Sequence, residues 1–420
     1  MSRLFQSVSR LHGPTILALV ALVFLAFTDR NGSASADEVD NSITTTHEKD
    51  LHVDDSDSVG VFKWSPDSKK IAFSYFVSGR VGIIDVDTGH ILVIPSVTMG
   101  LVADLSWSPN GEDLAIDTAK DLKIVHINTL AVTHAISATS VGDGKWRFGK
   151  MHFALDGLSL FVASPRIIHV ARDTNYGLLY KFDLSSSALS VFIDSPFGEK
   201  NASPDSTSAR FQVRDGHLIF TTRVDRLFDR VTTTHKVGNI DYGVGTNPST
   251  CFIFDLGIGL AVEKTQSVDF PEIHTDNLDV SKDIFDCRYS SAFQRLIVTR
   301  YTAIDPNAAI GWHGKVYFES YDIDRGSALR VFGQLSHSED GIYGDHEIHP
   351  HLPMFLAVAY NGSGETIVDI WDLLTGSPLG HLVVSQYLWR PQFSPDGGRV
   401  AFQTKSALLA LYDISNKGAK

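Results

Sequence analysis

The chain predicts an all-β repeat fold: seven blades in series, each an antiparallel sheet of four strands. Two recurring patterns and one spacing carry this reading. The first pattern is a short apolar strand ending in an aromatic or aliphatic residue, then a polar turn and a second apolar strand. The second is an alternating strand that closes on an acidic or amide residue ahead of another polar turn. Successive copies stand about 43, 46, 58, 78, 59 and 45 residues apart, where a minimal unit takes roughly 40 to 45. One unit cannot bury both of its apolar faces alone, so the copies must stack on each other.

The first and last copies are nearly the same text: Trp64-Ser65-Pro66-Asp67 running into Ile71-Ala72-Phe73, and Phe393-Ser394-Pro395-Asp396 running into Val400-Ala401-Phe402. Between them stand Trp107-Ser108-Pro109-Asn110-Gly111, Phe153-Ala154-Leu155-Asp156-Gly157, Phe211 to Gly216, Tyr289 to Phe293, and Ile348-His349-Pro350. These place the blade starts near 61, 104, 150, 209, 286, 346 and 390. Pro fixes φ at the first turn position, and Asp, Asn and Gly tolerate the next corner. The second pattern recurs as Val81 to Asp85, Leu122 to Asn128, Leu178 to Asp183, Cys251 to Asp255, Val316 to Asp322, Ile367 to Asp372 and Leu408 to Asp413. A fourth apolar strand follows six of these, as in Ile91 to Ile94 and Ala328 to Phe332. The seventh lacks one, because only the polar stretch Ser415 to Lys420 follows Ile414. An unpaired edge invites aggregation. The β-branched segment Ser42 to Leu51, otherwise unassigned, is therefore expected to pair with Leu408 to Tyr412 as the outermost strand of blade seven and close the ring.

With their Ser-Pro-Asp turns and the dipeptide Trp371-Asp372, the blades resemble WD-repeat and TolB-like β-propellers over essentially all of residues 37–420. The resemblance implies a seven-bladed β-propeller. It leaves function open, since this fold hosts scaffolds, receptors and enzymes.

Residues 1–36 read as a signal peptide. Arg3 and Arg10 form a basic leader, Ile16 to Phe27 is an unbroken apolar run, and Ala34-Ser35-Ala36 is a small-residue cleavage site. The apolar run is shorter than the roughly twenty residues a membrane helix needs, although an uncleaved anchor is the alternative. No second apolar stretch suggests a span after cleavage, and the expected location is periplasmic or extracellular. Loss of Arg3, Arg10 and Arg30 against Asp29 takes the net charge from −13 to −15. Such an acidic surface repels phosphate backbones and argues against a nucleic-acid partner. The protein is expected to be a monomer. The two cysteines, Cys251 in the third strand of blade four and Cys287 in the innermost strand of blade five, could form one bridge, but this strand assignment separates their Cβ atoms and favours the alternative of two buried small apolar residues.

The surplus length falls on one rim. Residues 165–177, 223–250 and 301–314 separate second from third strands in blades three to five, and 195–208, 265–283 and 334–345 link neighbouring blades. Strands alternate in direction, so both kinds of loop emerge on the face opposite the Ser-Pro-Asp turns, where long loops on a rigid scaffold carry function. Arg223, Arg226, Arg230, His235, Asp241 and Tyr242 in one insertion, with Tyr301, Asp305, Trp312 and His313 in the next, combine cations and aromatics suited to a protein partner or a small anionic or carbohydrate ligand. The same charges would also serve as local ion pairs of a solvated loop. His337, Asp345 and His346 are weak candidates for a divalent metal, their spacing matching no standard ligand motif. No cofactor is expected. Gly-x-Ser-x-Gly, His-Glu-x-x-His and phosphate-cradling glycine loops do not occur. The reading is an exported binding or assembly propeller, more a non-enzyme than an enzyme. Its rival is a lactonase-like or quinoprotein-dehydrogenase-like enzyme with a site at the central funnel.

Overall fold

A computed structural model describes residues 43–53, 57–95, 101–118, 121–137, 150–163, 177–194, 202–226, 231–237, 240–246, 249–257, 262–270, 284–301, 316–323, 327–335, 345–360, 365–404 and 408–416. Two units divide the chain, one holding Ile43–Ser415 and the other Met1–Ser42 with Asn416–Lys420. The expected signal peptide falls in the latter, outside the described residues. Among the described residues no helix is long and apolar enough to cross a membrane.

The strand-forming segments are those with alternating or continuous apolar residues between Pro, Gly and Asp turns. After β1 (Ile43–His52), blade one holds β2 (Val59–Trp64), β3 (Lys70–Tyr75), β4 (Val81–Asp85) and β5 (Ile91–Ile94). Blade two holds β6 (Val102–Trp107), β7 (Asp113–Thr118), β8 (Asp121–His126) and β9 (Ala131–Ser137), and blade three β10 (Met151–Phe153), β11 (Ser159–Ala163), β12 (Gly177–Asp183) and β13 (Ala188–Asp194). Blade four is β14 (Ala202–Arg214), β15 (His217–Arg226), β18 (Ser249–Asp255) and β19 (Lys264–Phe270), interrupted by a separate ribbon of β16 (Val231–Val237) and β17 (Ile240–Thr246). Blade five is β20 (Ile284–Ser290), β21 (Arg295–Tyr301), β22 (Val316–Asp322) and β23 (Ser327–Leu335). Blade six is β24 (His346–Ile348), β25 (Met354–Tyr360), β26 (Thr366–Asp372) and β27 (Pro378–Val384). Blade seven runs β28 (Leu388–Phe393), β29 (Arg399–Thr404), β30 (Leu408–Asn416), and then β1 as its outer strand. Seven four-stranded antiparallel sheets in a ring make a seven-bladed β-propeller, closed by the strand from the other end of the chain as the sequence predicts.

The core is not one mass but seven apolar clusters, one at each junction between blades. This explains why second strands such as Ile71-Ala72-Phe73 and Leu114-Ala115-Ile116 are apolar at successive positions: both faces are covered by a neighbouring blade. Phe73 is fully buried and lies flat where a Cβ on Gly82 would come within 2.5 Å of its ring, so Gly82 is required there. The Ser-Pro-Asp turn closes itself in the same way three times. Ser65 Oγ donates to Asp67 Oδ1 (2.6 Å) and accepts from the Lys70 N–H (2.9 Å), and Ser108 and Ser394 repeat both bonds.

Two expectations are corrected. Cys251 and Cys287 form a disulfide, with Cα atoms 6.3 Å apart, inside the usual range. Counting strands outward within each blade suggested separation, but blades stack face to face, and β20 packs directly against β15 and β18. The bridge lies in the apolar cluster of that junction with Ile219, Ile253 and Tyr289. Secondly, much of the surplus in blade four is regular strand: Lys264–Phe270 is its fourth strand, and 231–246 is a β-ribbon whose register runs from Val231 opposite Thr246 to Val237 opposite Ile240. The β-branched run Val231-Thr232-Thr233-Thr234 and the turn dipeptide Gly238-Asn239 are the signal for that hairpin.

The latch seats β1 by packing and charge. Leu51 and Val53 are buried with Leu409, Leu411 and Val59, His47 meets Tyr412 edge-on at 5.2 Å, and Glu48 Oε2 lies 3.0 Å from Arg399 Nε. Each buried Leu or Val contributes about 1.5–3 kcal/mol. Deleting residues 37–52 is therefore expected to lower the melting temperature sharply and to expose the β30 amides to hydrogen exchange. Equal stability and equal protection in the deletion variant would show that the ring closes without β1.

Candidate functional site

The register places one residue of every first strand in an equivalent position, immediately before the aromatic or aliphatic residue of the turn motif: Lys63, Ser106, His152, Arg210, Arg288, Glu347 and Gln392. All seven are polar, although first strands sit at the heart of the ring. Their partners lie mainly on the next blade. Ser106 Oγ accepts from the Phe153 N–H (3.2 Å), His152 packs on Phe211 (5.6 Å), and Arg210 Nη2 donates to Asp286 Oδ2 (3.0 Å). Arg288 Nη1 donates to Glu347 Oε2 (2.7 Å), and Gln392 Nε2 donates to the Phe62 carbonyl (2.8 Å). Two residues earlier along their strands come Asp104, Lys150, Asp286, Asp345 and Arg390, at the end of the ring where the insertions emerge.

Two charge groups result. Across blades four to six, Asp286 receives Arg210 and Arg288, and Glu347 receives Arg288. Burial together with Arg288 and Arg210 pushes the His346 pKa well down, so that imidazole is neutral. Across blades one to three, Lys63 Nζ and Lys150 Nζ both face Asp104 Oδ1, at 3.9 and 3.6 Å, while Asp104 Oδ2 accepts from the Met151 N–H. Burial opposes ionisation of Asp104, but Lys150, Lys63 and the Met151 and Leu105 amides outweigh it and hold its pKa below the usual range. Asp117 sits directly opposite Asp104 in the β6–β7 register and is likewise about 1 % exposed. Burial and then the Asp104 charge raise its pKa well above the ordinary value, which favours the protonated form of Asp117. Asp104 pulls the Lys150 pKa up, but burial and the cations Lys63, Arg210 and Arg390 prevail and lower it. The pair Asp104/Asp117 is thus one base and one acid, the arrangement in which neighbouring carboxyls take different roles.

The residues singled out in the insertions fare unevenly. Arg223 and Arg226 lie at the end of β15, Arg223 opposite Cys251; His235 of β16 stands opposite Tyr242 of β17, next to Asp241; Tyr301 ends β21. Arg230, Asp305, Trp312, His313 and His337 lie outside the described residues. Asp345 and His346 part company: Asp345 Oδ2 accepts from the Arg390 N–H on blade seven (2.9 Å), whereas His346 Nε2 faces Thr299 (3.4 Å) and Asp286 (3.8 Å) on blade five. Neighbours on a strand point to opposite faces, so they serve different junctions. His349 occupies the Ser65 position of its blade. Its Nδ1 accepts from the His351 and Leu352 amides (3.0 and 2.8 Å), which leaves the proton on Nε2, donating to the Gly397 carbonyl (2.9 Å). A Cβ on Gly397, whose φ is +76°, would meet His349 at 2.4 Å.

At the opposite end of the ring a cleft of about 310 Å³ opens between blades four and five, lined by Arg214, His217, Asp255, Lys264, Tyr289 and Gln294. His217, Asp255 and Glu263 bring three ligand-type atoms within 4.8 Å of one another there. The hydrogen bond from His217 Nδ1 to Asp255 (2.8 Å) raises the His217 pKa. A His–Asp bond between second and third strands also occurs in blade two, from His126 to Asp113 (3.0 Å), so such a pair is not peculiar to the cleft. None of these cleft residues was singled out from sequence, and of the inner-strand charges only Asp345 was. The available signal was the polar residue that precedes the motif in every blade.

No known protein family and no curated protein matches the chain, and the fold and the site carry the functional argument alone.

Replacing His349 by Ser restores the turn chemistry of the other blades and removes a buried imidazole. Burial, partly offset by the Gly397 bond, lowers the His349 pKa to about 4. The unfolded chain takes up a proton near its ordinary pKa of 6.5, so this neutral ring stabilises the fold above that value and the contribution is lost as pH falls toward 4. The drop in unfolding midpoint between neutral and mildly acid buffer should be smaller in His349→Ser than in the wild type. An unchanged drop would place the acid sensitivity in other groups. Asp117→Asn should behave in the opposite sense. The folded Asp117 keeps a proton that the unfolded chain releases above its ordinary pKa of 3.8, so the wild type loses stability as pH rises through that window. The amide variant should gain over the wild type progressively with pH, and a gain independent of pH would mean that Asp117 is ionised.

Proposed function

We propose that the protein is an exported, non-enzymatic binding propeller that captures a protein or a small anionic or carbohydrate ligand on its insertion-bearing face. The observation that carries this reading is the ribbon β16–β17. It is added between the second and third strands of blade four, at the end of the ring where the inner strands begin with charged residues. A two-stranded ribbon contributes little to a core already closed by four-stranded blades, and rigid scaffolds present such additions for recognition. The Cys251–Cys287 bridge supports an oxidising compartment and so agrees with the leader sequence at 1–36. The WD-repeat and TolB-like resemblance adds the fold and no ligand.

A second reading, a propeller enzyme working at the funnel, is favoured by one observation: the opposed carboxyls Asp104 and Asp117 with their ionisation driven apart.

Replacing residues 227–248 by a two-residue turn should leave the melting temperature nearly unchanged and weaken partner capture at least tenfold in a binding assay on the purified protein. Undiminished capture would remove the ribbon from the contact surface, and unfolding would make it structural.

A further inference from the structure

Charges on the inner strands of blades four to six are matched: Arg210 and Arg288 meet Asp286 and Glu347 at 2.7–3.2 Å. The sector from blade seven through blade one to blade three is not. Lys63 and Lys150 share the single carboxylate of Asp104 and both stop short of hydrogen-bond length, with 37 % and 32 % of their side chains exposed at the channel. The Arg390 guanidinium donates to the Gly60 carbonyl (2.6 Å), a neutral group. Among the described residues, therefore, two ammonium groups share the Asp104 carboxylate while the Arg390 guanidinium rests on a carbonyl, in a chain whose net charge is −13. Beside them Asp104 Oδ1 and Asp117 Oδ2, on side chains almost wholly buried, have no hydrogen-bond partner among the described residues.

The unmet chemistry is of two kinds: ammonium groups that need acceptors, and the Asp104 carboxylate oxygen, which needs a donor. Buried polar atoms are costly when left in that condition. An inorganic anion answers only the first kind and a neutral sugar only the second. We propose that the channel mouth at blades one to three binds a small hydroxylated carboxylate of the sugar-acid class, its carboxylate between Lys63 and Lys150 and its hydroxyls toward Asp104 and Asp117. This deepens the reading of the insertion-bearing face as the working one, but places the small ligand in the channel rather than on the ribbon.

Isothermal titration of the purified protein with glucuronate, with glucose, and with potassium chloride at matched ionic strength tests it. Glucuronate should bind at one site per chain while glucose and chloride give no saturable heat. Lys63→Met, and the charge-balanced pair Asp104→Asn with Lys150→Met, should each weaken binding at least tenfold. The ribbon-trimmed protein should bind glucuronate as the wild type does. Glucuronate heat no greater than that of chloride, wild-type affinity in Lys63→Met, or loss of binding on trimming the ribbon would each overturn the proposal. If the paired variant does not fold, Lys63→Met decides, because its side chain is open to the channel. Partner capture that survives trimming while glucuronate binding also persists would sink the ribbon reading and leave the channel site standing.

Discussion

Everything in this propeller depends on each blade finding a partner for the inner edge of its neighbour. A four-stranded sheet with two apolar faces is unstable alone, and stacking seven of them buries those faces in seven separate junctions. Stacking by apolar contact alone would let blades slide, since dispersion contacts are not directional. The polar position before each turn motif supplies direction. Ser106, Arg210, Arg288 and Gln392 each bond to the following blade, and Trp64 and Trp107 donate their indole N–H groups backwards to the carbonyls of Gln392 and Lys63, both at 3.1 Å. Contacts in both directions fix the phase of blade one against blades seven and two.

Closure is reinforced where a ring is weakest. The junction of blades seven and one joins the two ends of the described chain, and it is cross-linked by the Trp64, Arg390, Gln392 and Gln403 bonds on the inside and by β1 on the outside. Blades four and five, which carry the long insertions, have a different reinforcement. There a covalent bridge spans 36 residues of chain, a loop for which a disulfide contributes about 2–4 kcal/mol. Arg214 adds a hydrogen bond from the blade-four turn to the Ser291 carbonyl of blade five. The insertions therefore stand on the one junction that is tied covalently.

The architecture was legible because its signals are local. Pro and Gly turns, period-two alternation and a repeat length near that of a blade are all read within a few dozen residues, and even the latch followed from a missing strand beside an unassigned β-branched segment. The disulfide was illegible for the opposite reason. Strand order within a blade says nothing about which strand of the next blade lies across the junction, and Cys251 and Cys287 meet only through that stacking. The channel charges fall between these cases. Lys63, Arg210, Arg288 and Glu347 occupy one register position that a sequence reader can align, but which of them pair and which are left over is set by side-chain reach across blades.

Asp117 is where structure and chemistry separate. At the equivalent second-strand position blade one has Ser74, whose Oγ accepts the Val61 N–H (3.0 Å), and blade five has Thr299, opposite Asp286 and within 3.4 Å of His346. In those two blades a hydroxyl does the structural work of this position. Blade two instead places a carboxyl opposite a carboxyl, an arrangement that like charges on facing strands make unfavourable. Burial and the Asp104 charge raise the Asp117 pKa in answer to it, which costs stability as pH rises above the ordinary value of 3.8. The same spot carries the excess of Lys63 and Lys150 over their single counter-charge. A donor-bearing acid beside two under-matched ammonium groups gives the ring nothing that Ser or Thr would not, and the chemistry it does offer is recognition of an oxyanion that also bears hydroxyl groups.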